Sequence, residues 1–482
     1  MQFLAARLLD PNYQAELWES ALYYDCLNVV PSLGISVPPE LEPLRGILGW
    51  CQAGVDARSE RLSVLGFRMP GRTETDDDLQ KTWQANDMDS ESGLVHDDAQ
   101  IYGRSFVVVG PSDDDTGEPL ITVESPRNML GSWDVRRREL SAAFQTYLDI
   151  DPASETYLRQ LATLYTRTST IQLSMGNRGW QVDDRNDRSD PSQQFVPVRM
   201  FAPKATARNR YGSSVMSASW RNTQDRACRT LVRSEVAGEF YAMMKIILLG
   251  VSEQDFKKSD GTIATAWETF AGRLTTLKPD ANGVLPDVKE IRGDSPDGFI
   301  STLNHQAQIM SGHTGLPPQY HGIFSDGNPA SADAIRMSDF RLKTTADRLS
   351  VSLGNDWEAV MRMCRKIKGT YTDDDRQMET DWAYTGIPTP NADAVTVTTQ
   401  VAAGMISPDS DDALAACGWT PVQRKRMAIA REKYQSTLQA LQIAGLKPPP
   451  SPQAPQQPMD GQQPQALATL NAKRSTDGAT AG

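Results

Sequence analysis

The chain has 482 residues, of which 39% are hydrophobic, and a formal net charge of −12. A chain of this length normally divides into two or more domains, because single hydrophobic cores stop growing above about 250–300 residues. The acidic balance argues against a protein that grips nucleic acid over a broad surface, since that mode of binding needs many lysines and arginines.

The cysteines and the longest apolar run exclude two further classes of protein. The five cysteines are far apart and form no CxxC pair, which predicts neither a disulfide framework nor a thiolate zinc site and fits a reducing cytosol. The apolar run at 246–249 is too short to cross a bilayer, so we expect neither secretion nor membrane insertion.

The first half of the chain changes from helical to β-type patterning. Apolar residues at helical spacing predict a helix within residues 38–63, after Pro38 and Pro39. From about 101 to 203, short apolar runs separated by charged turns predict an antiparallel β-rich region. The predicted strand runs are 105–109, 120–123, 142–147, 161–166, 169–173 and 195–198.

After Gly212 the apolar period becomes helical again. A broad apolar face predicts a long helix over roughly 214–248, followed by an insertion at 251–294 that is punctuated by Gly, Pro and Asp. A second helix is predicted to begin at Ser295 and to end near Gly312. The pattern therefore predicts two helices that flank a compact insertion.

The next segment combines turn residues with a helix start. Gly322, Gly327, Asn328 and Pro329 predict a mobile loop, and Ser331 is a plausible N-cap for a helix that continues to about residue 368. Gly354 is a candidate bend in that helix. A further helix is predicted over 421–443, and the Pro/Gln-rich tail beyond residue 445 is predicted to be disordered in isolation.

Searches for catalytic and metal-binding motifs are mostly negative. The sequence contains no phosphate-binding GxxxxGK[ST] loop and no GxGxxG, GxSxG or HExxH motif. His96, Asp97 and Asp98 could supply part of a metal triad, but an exposed helix end explains them equally well. The histidines at 305, 313 and 321 are interpreted as ordinary polar positions, because paired prolines interrupt any helix that would align them.

Acidic runs and basic residues leave two alternatives open. The acidic runs at 76–78, 113–115 and 373–375 could hold metal ions for a nuclease, but their contiguity favours solvated turns or helix N-termini. The basic residues of the long helix indicate a solvated or subunit-facing stripe, with intermittent contact to a DNA backbone as the alternative. They are Arg336, Arg341, Lys343 and Arg348.

Several short segments, taken in order, carry a family resemblance that covers about residues 35–370. Their order and spacing resemble those of the portal proteins of tailed bacteriophages. The segments are Gln100-Ile-Tyr-Gly-Arg-Ser, Pro126-Arg-Asn-Met, Phe195-Val-Pro-Val-Arg-Met, Arg210-Tyr-Gly-Ser-Ser-Val, Gly315-Leu-Pro-Pro-Gln-Tyr-His-Gly and Asn328-Pro-Ala-Ser-Ala-Asp-Ala-Ile.

The resemblance implies an α+β portal fold that assembles as a ring. Its implied parts are a mixed α/β wing, long stem helices, a small α/β clip and a helical crown. On the present numbering they are the wing (1–213), the first stem helix (214–250), the clip (251–294), the second stem helix (295–315), the tunnel loop with a wing helix (316–390), the crown (391–445) and the Pro/Gln-rich tail (446–482).

The resemblance also assigns roles to particular residues. A tunnel loop facing the channel would contain Gly322, Ser325, Asp326, Gly327, Asn328 and Pro329. The clip would contact the terminase and the adaptor through Trp267, Phe270, Lys278 and Asp280. Packing between the stem helices would involve Leu231, Phe240, Met244, Phe299 and Leu303.

The implied function is structural rather than enzymatic and needs no cofactor. A dodecameric ring at one capsid vertex would let double-stranded DNA in during packaging and out during ejection. Its partners would be the large terminase subunit, a head-tail adaptor, the major capsid protein and a scaffolding protein, with assembly in the host cytoplasm. The alternatives are another phage head or head-tail structural protein and a metal-dependent DNA enzyme.

Overall fold

The computed structural model describes most of the chain outside its C-terminal tail. The described residues are 2–30, 45–72, 74–112, 117–154, 156–176, 179–182, 188–189, 193–242, 245–249, 287–291, 297–322, 332–383, 385, 390–407, 410, 413–414, 417, 419 and 421–443. They form two compact units, Met1–Ile387 and Pro388–Gly482, which are treated separately here. The predicted disordered tail lies outside the described residues.

Helices account for much of both units. In the first unit the α-helices of the described residues are α1 (Gln2–Leu8), α2 (Pro11–Tyr24), α3 (Trp50–Ser59), α4 (Asp77–Ala85), α5 (Met88–Ile101), α6 (Ala218–Ala242), α7 (Asp297–Thr314) and α8 (Ala332–Lys368). The second unit contains α9 (Pro390–Ala402) and α10 (Pro421–Ile443). The helices predicted at 421–443 and from 331 to 368 are confirmed.

The strands of the first unit pair only in antiparallel fashion among the described residues. In chain order they are β1 (Val64–Arg68), β2 (Ser105–Gly110), β3 (Leu120–Glu124), β4 (Met129–Asp134), β5 (Glu139–Leu148), β6 (Gln160–Tyr165), β7 (Ser169–Gly176), β8 (Gly179–Val182), β9 (Arg188–Ser189), β10 (Val198–Phe201), β11 (Lys245–Leu249), β12 (Asp287–Ile291) and β13 (Glu379–Trp382). The antiparallel region predicted between 101 and 203 is therefore confirmed.

Four sheets result from this pairing. The largest has the order β4-β5-β6-β7-β8, with β9 also paired to β7, and a smaller sheet has the order β10-β2-β3. Two further pairs are β1 with β13 and β11 with β12. The strand predicted at 195–198 begins only at Val198, because Pro197 has no N–H to contribute to a sheet.

The principal core of the first unit is built around the middle of α8. Leu353, Trp357 and Val360 are fully buried there with Trp83 of α4 and Phe201 of β10. The Trp357 ring lies 4.6 Å from Phe201 and 5.1 Å from Trp83, centroid to centroid, in edge-on arrangements that favour aromatic packing. This core fixes the central part of the long helix.

His96 lies inside this core, which makes the exposed helix end proposed for it wrong. Its side chain is fully buried in the middle of α5, and its Nε2 accepts a 2.9 Å hydrogen bond from Trp357 Nε1. Burial lowers the pKa of His96 to about 4. The sequence could not show this burial, because the residue that contacts His96 lies more than 250 positions away.

Two of the acidic runs lie at helix starts, and a carboxylate of each run also binds Arg365 of α8. Asp76 caps α4 by accepting the Leu79 N–H at 3.2 Å, and its Oδ1 also accepts Arg365 Nη2 at 2.9 Å. Asp375, in the 3-10 helix Asp373–Gln377, is fully buried and bound to Arg365 Nη1 at 2.7 Å. The solvated-turn interpretation is therefore wrong for Asp375, and the run at 113–115 lies outside the described residues.

The helix predicted within 38–63 is shorter than its apolar pattern indicates. It begins at Trp50, and residues 45–49 before it are neither helix nor strand. Gly46 explains the difference, because a Cβ atom at this position would lie only 2.3 Å from the Cys228 carbonyl oxygen of α6. The chain before α3 thus runs directly against the α6 backbone, which a side chain at residue 46 would prevent.

The helix predicted over 214–248 also ends early. Helix α6 stops at Ala242, and residues 245–249 form β11 instead, paired with β12. The sequence of β11, Lys-Ile-Ile-Leu-Leu, contains two consecutive isoleucines, and β-branched side chains favour strands. A continuous apolar run is compatible with both the helical and the strand period, so its sequence does not decide between helix and strand. Pairing with the distant strand β12 decides it.

Gly354 does not interrupt α8, which is continuous from Ala332 to Lys368. A Cβ atom at Gly354 would lie 3.1 Å from Trp382 Nε1, and Thr380 Oγ1 donates to the Gly354 carbonyl at 3.1 Å. The glycine thus allows β13 to lie close against the helix. Within the described part of the chain, no helix has the length and apolar character that a membrane span requires.

Candidate channel and assembly surfaces

Helices α6 and α7, which correspond to the two helices predicted to flank the insertion, form an antiparallel pair. Gln306 Nε2 donates to Thr230 Oγ1 at 3.1 Å, and the Thr223 hydroxyl lies 3.4 Å from His313 Nδ1. Because the residue number of the α7 partner falls as the residue number in α6 rises, the two helices run in opposite directions. Polar contacts therefore fix the register of the pair.

The residues that pack these helices differ partly from the predicted set. Leu303 packs against the shared core, and Leu231 and Phe299 are half-buried. The most buried positions include smaller or more flexible residues outside that predicted packing set, namely Ala227, Ala307 and Met310. The side chains of Phe240 and Met244 lie outside the described residues.

A buried arginine binds a backbone carbonyl at the C-terminal end of α7. Arg58 of α3 donates from Nη2 to the Thr314 carbonyl at 2.6 Å, and its guanidinium lies 4.6 Å from the centre of the Trp220 ring. Burial lowers the pKa of Arg58 to about 10. A cation at a helix C-terminus interacts favourably with the helix dipole, so α3 anchors the end of α7.

A short 3-10 helix, Pro318–His321, leads from α7 into the predicted tunnel loop. His321 is buried, its Nε2 lies 3.2 Å from Thr314 Oγ1, and its ring lies 5.8 Å from that of Trp50. Burial lowers the pKa of His321 to about 4. Gly322 then ends the turn in the left-handed region at φ 81°, a conformation that glycine adopts without strain.

The far side of the loop is anchored to the same region. Both Nη atoms of Arg61, which follows α3, bind the Asp339 carboxylate of α8 at 2.8 and 2.9 Å. Arg61 also donates to the Thr385 carbonyl at 2.8 Å. The two ends of the loop are thus held by residues at the two ends of α3, although most predicted loop residues lie outside the described residues: Ser325, Asp326, Gly327, Asn328 and Pro329.

The basic residues predicted on α8 do not form a uniform stripe for DNA. Lys343 is paired with Asp347 on the same helix at 2.9 Å, and Arg341 donates to the Gly312 carbonyl at 3.1 Å. Arg348 is exposed, and the side chain of Arg336 lies outside the described residues. The clip residues Trp267, Phe270, Lys278 and Asp280 also lie outside them.

This chain is similar to known proteins in sequence and in structure. A family model described as "Phage portal protein, SPP1 Gp6-like" matches residues 23–410. The portal protein of Mycobacterium phage L5 is 30% identical over 391 residues, which cover 79% of this chain and 78% of the relative. The portal protein of Mycobacterium phage D29 is 29% identical over 385 residues, which cover 78% and 77%.

The chain belongs to the phage portal protein family. The resemblance found in the sequence is thus confirmed, and with it the assignment of a portal role. The match begins at residue 23 and ends at residue 410, so it includes α3, the α6–α7 pair and all of α8. The anchored loop ends described above therefore belong to the part of the chain that the family shares.

Solved structures give a weaker likeness. A chain from the "Virion of native gene transfer agent (GTA) particle" has a TM-score of 0.44 at 14% identity, covering 86% of this chain and 95% of that one. A chain from the "Neck of native GTA particle computed with C12 symmetry" has a TM-score of 0.41 at 14% identity, covering 80% and 95%. TM-scores below 0.5 are too low to establish how copies of this portal protein assemble.

Proposed function

We propose that copies of this portal protein close into a dodecameric ring at one capsid vertex and form the conduit for double-stranded DNA. The match of the portal family model to residues 23–410 carries this proposal. DNA enters through the ring during packaging and leaves through it during ejection. The protein acts as a structural component of the virion and not as an enzyme.

We assign the parts of the proposed ring as the family resemblance implies. Residues 1–213 form the wing, α6 and α7 are the stem helices, and the chain between them forms the clip. The clip binds the large terminase subunit during packaging and then a head-tail adaptor. The wing contacts the major capsid protein and a scaffolding protein, and the ring assembles in the host cytoplasm.

The anchored loop supports a role in the channel. Trp50 and Arg58, at the two ends of α3, and the adjacent Arg61 hold the chain on both sides of residues 323–331 through direct contacts. A loop with firmly fixed ends can change conformation without disturbing the fold around it. Such a loop can touch a moving duplex repeatedly while the body of each subunit stays rigid.

Electron microscopy of the purified full-length protein tests the ring. We expect negative-stain class averages with twelvefold symmetry and a central hole wide enough for duplex DNA. Mass photometry of the same sample should give a species of about twelve chain masses. A population of single chains at micromolar concentration, or particles with solid centres, would contradict the proposal.

A second measurement tests the absence of enzymatic activity. Incubation of the rings with supercoiled plasmid and Mg²⁺ or Mn²⁺ should leave the plasmid intact, because Asp76 and Asp375 are both bound to Arg365. Metal-dependent nicking that copurifies with the rings would instead support a DNA enzyme.

A further inference from the structure

The outward face of α8 carries large apolar side chains that its own subunit leaves exposed. Met337, Phe340 and Val351 are 76%, 65% and 68% exposed. At about 100° per residue they fall within one arc of roughly 60° that spans about 21 Å of helix length. Exposed apolar side chains clustered on one face usually mark an interaction surface.

Two arginines accompany the apolar side chains of this face. Arg341 and Arg348 lie in or beside the same arc and are exposed. Asp339 and Asp356 of α8 are bound within the subunit, by Arg61 at 2.8 Å and by Arg199 at 2.6 Å. Asp347 lies beside the same arc and is paired with Lys343 at 2.9 Å. We call Met337, Phe340, Arg341, Arg348 and Val351 the apolar–cationic face.

This composition fits a protein partner better than DNA. Phosphate oxygens are contacted by hydrogen-bond donors and cations, and three large apolar side chains offer neither. A protein partner of the apolar–cationic face would need a surface on which apolar groups and carboxylates lie side by side. The same chain presents such a surface on another helix.

The outward face of α5 is apolar and acidic. Leu94 is 53% exposed, and Glu91, Asp97 and Asp98 lie around it. Together with Tyr24 and Ile101 these residues line a cleft of about 390 Å³. We call Glu91, Leu94, Asp97 and Asp98 the apolar–acidic face.

A nearby cation would stabilise the ionised carboxylates of this face. Burial raises the pKa of Asp97, and it raises that of Asp98 to about 6 even though Arg127 lies near enough to lower it. Desolvated carboxyl groups without sufficient positive charge are costly when ionised. An arginine supplied from outside would offset that cost.

The two faces point away from each other across one core. His96 of α5 and Trp357 of α8 are joined by a hydrogen bond inside that core. Leu94 is about 160° around α5 from His96, and Arg348 is about 180° around α8 from Trp357. Two complementary surfaces on opposite sides of one subunit are what a head-to-tail ring interface requires.

We propose that the apolar–cationic face of α8 docks on the apolar–acidic face of α5 in a second copy of this chain. This inference rests on the proposed ring and names the surfaces that close it. Arg348 pairs with the carboxylates around the cleft, and Phe340 packs against Leu94. Repetition of the contact around the ring leaves neither face exposed.

A charge-swap series tests the proposed pairing. Arg348→Glu should raise the protein concentration at which half of the chains are in rings by at least tenfold, because it places like charges together. Glu91→Arg should have a similar effect, and the double variant should recover at least part of the loss. The matched control is Arg376→Glu, the same charge change at an exposed site in the 3-10 helix Asp373–Gln377.

Cross-linking provides an independent measurement. In a background carrying Cys26→Ser and Cys417→Ser, the combination Phe340→Cys with Leu94→Cys should give a ladder of covalent multimers with a short bismaleimide. Either change alone should give none. Native cysteines 51, 228 and 364 are buried and should not react.

The outcomes separate the two proposals. If the unaltered protein forms no rings, the proposed function fails. If it forms rings that Arg348→Glu leaves unchanged, and the paired cysteines give no ladder, the rings close through other surfaces and the present inference is overturned. Circular dichroism melting of each variant shows whether a loss of rings reflects unfolding.

Discussion

Single buried side chains in this portal protein combine packing with polar contacts that can be tested by titration. His96 and His321 are both buried, and burial lowers the pKa of each to about 4. His96 Nε2 accepts from Trp357, so its Nδ1 carries the proton in the neutral ring. Protonation would place a charge inside the core around Trp357.

The first prediction concerns the pH dependence of stability. The pKa of His96 is lower in the folded chain than the usual unfolded value of about 6.5, so its contribution is complete above pH 6.5 and falls as the pH drops toward 4. Between pH 7 and pH 5 the loss should be about 2 kcal/mol for this residue. His96→Gln should remove that part of the pH dependence, as measured by urea unfolding at both pH values.

The comparison must be between variants, because other groups act in the opposite direction. The raised pKa of Asp98 stabilises the folded chain as the pH falls through about 6. The contribution of Asp98 is the same in His96→Gln and in the unaltered protein, so it cancels when the pH dependences of their stabilities are compared. His305→Gln, the same replacement at an exposed position, is the control. An equal pH dependence in His96→Gln and the unaltered protein would contradict the prediction.

At the level of helices and strands, the sequence predicted those elements whose own residues show a clear helical or strand pattern. The run Ser105–Gly110 was recognised as a strand because it is short and β-branched, and 332–368 was recognised as a helix by its apolar period. Strands β1 and β13 were missed. β1 contains Gly66 and β13 is largely polar, and they pair with each other across about 300 residues, so neither has a local signal.

The functional surfaces were predictable to different degrees. The two long helices followed from apolar spacing. The loop expected from turn residues stays a prediction, because residues 323–331 lie outside the described residues. The anchors Arg58, Arg61 and His321 did not follow from the sequence, because each depends on a partner brought close only by folding. The exposure of Met337 and Phe340 could be seen only once the buried side of α8 was known.

The second prediction tests the close approach of the chain before α3 to α6. Gly46→Ala should destabilise the protein by about 1–3 kcal/mol, because the new methyl group would overlap the Cys228 carbonyl and the α6 backbone cannot easily move. Thermal unfolding monitored by circular dichroism should show a lower midpoint. The matched control is Gly93→Ala in α5, where a Cβ meets open space and alanine should stabilise the helix by up to about 1 kcal/mol. Equal midpoints for the two variants would exclude this explanation of the short α3.

The proposed ring would carry a large negative charge, since each copy contributes −12. Cations that bind DNA release counterions and add a sequence-independent affinity, which would slow a sliding duplex. Several α8 cations are instead bound within the subunit, including Lys343 and Arg341. With few available cations, the proposed conduit would retain DNA weakly.

The third prediction follows from this charge. Purified rings should bind linear duplex DNA with a dissociation constant weaker than about 10 µM at 150 mM salt, because such affinity comes mainly from phosphate neutralisation. Fluorescence anisotropy of a labelled duplex at several salt concentrations measures both the affinity and its salt dependence. Submicromolar binding at that salt concentration would show that the channel holds DNA instead of letting it slide.

The pairing of β1 with β13 has a consequence for how the protein is made. During translation, β1 leaves the ribosome long before β13, which follows about 300 residues later. At roughly 5–20 residues per second this delay lasts about 15–60 s. Throughout that time β1 is an open edge on which another nascent chain could dock. Polysomes that carry several growing copies therefore depend on chaperones, or on early folding of α4 over β1, to keep neighbouring chains apart.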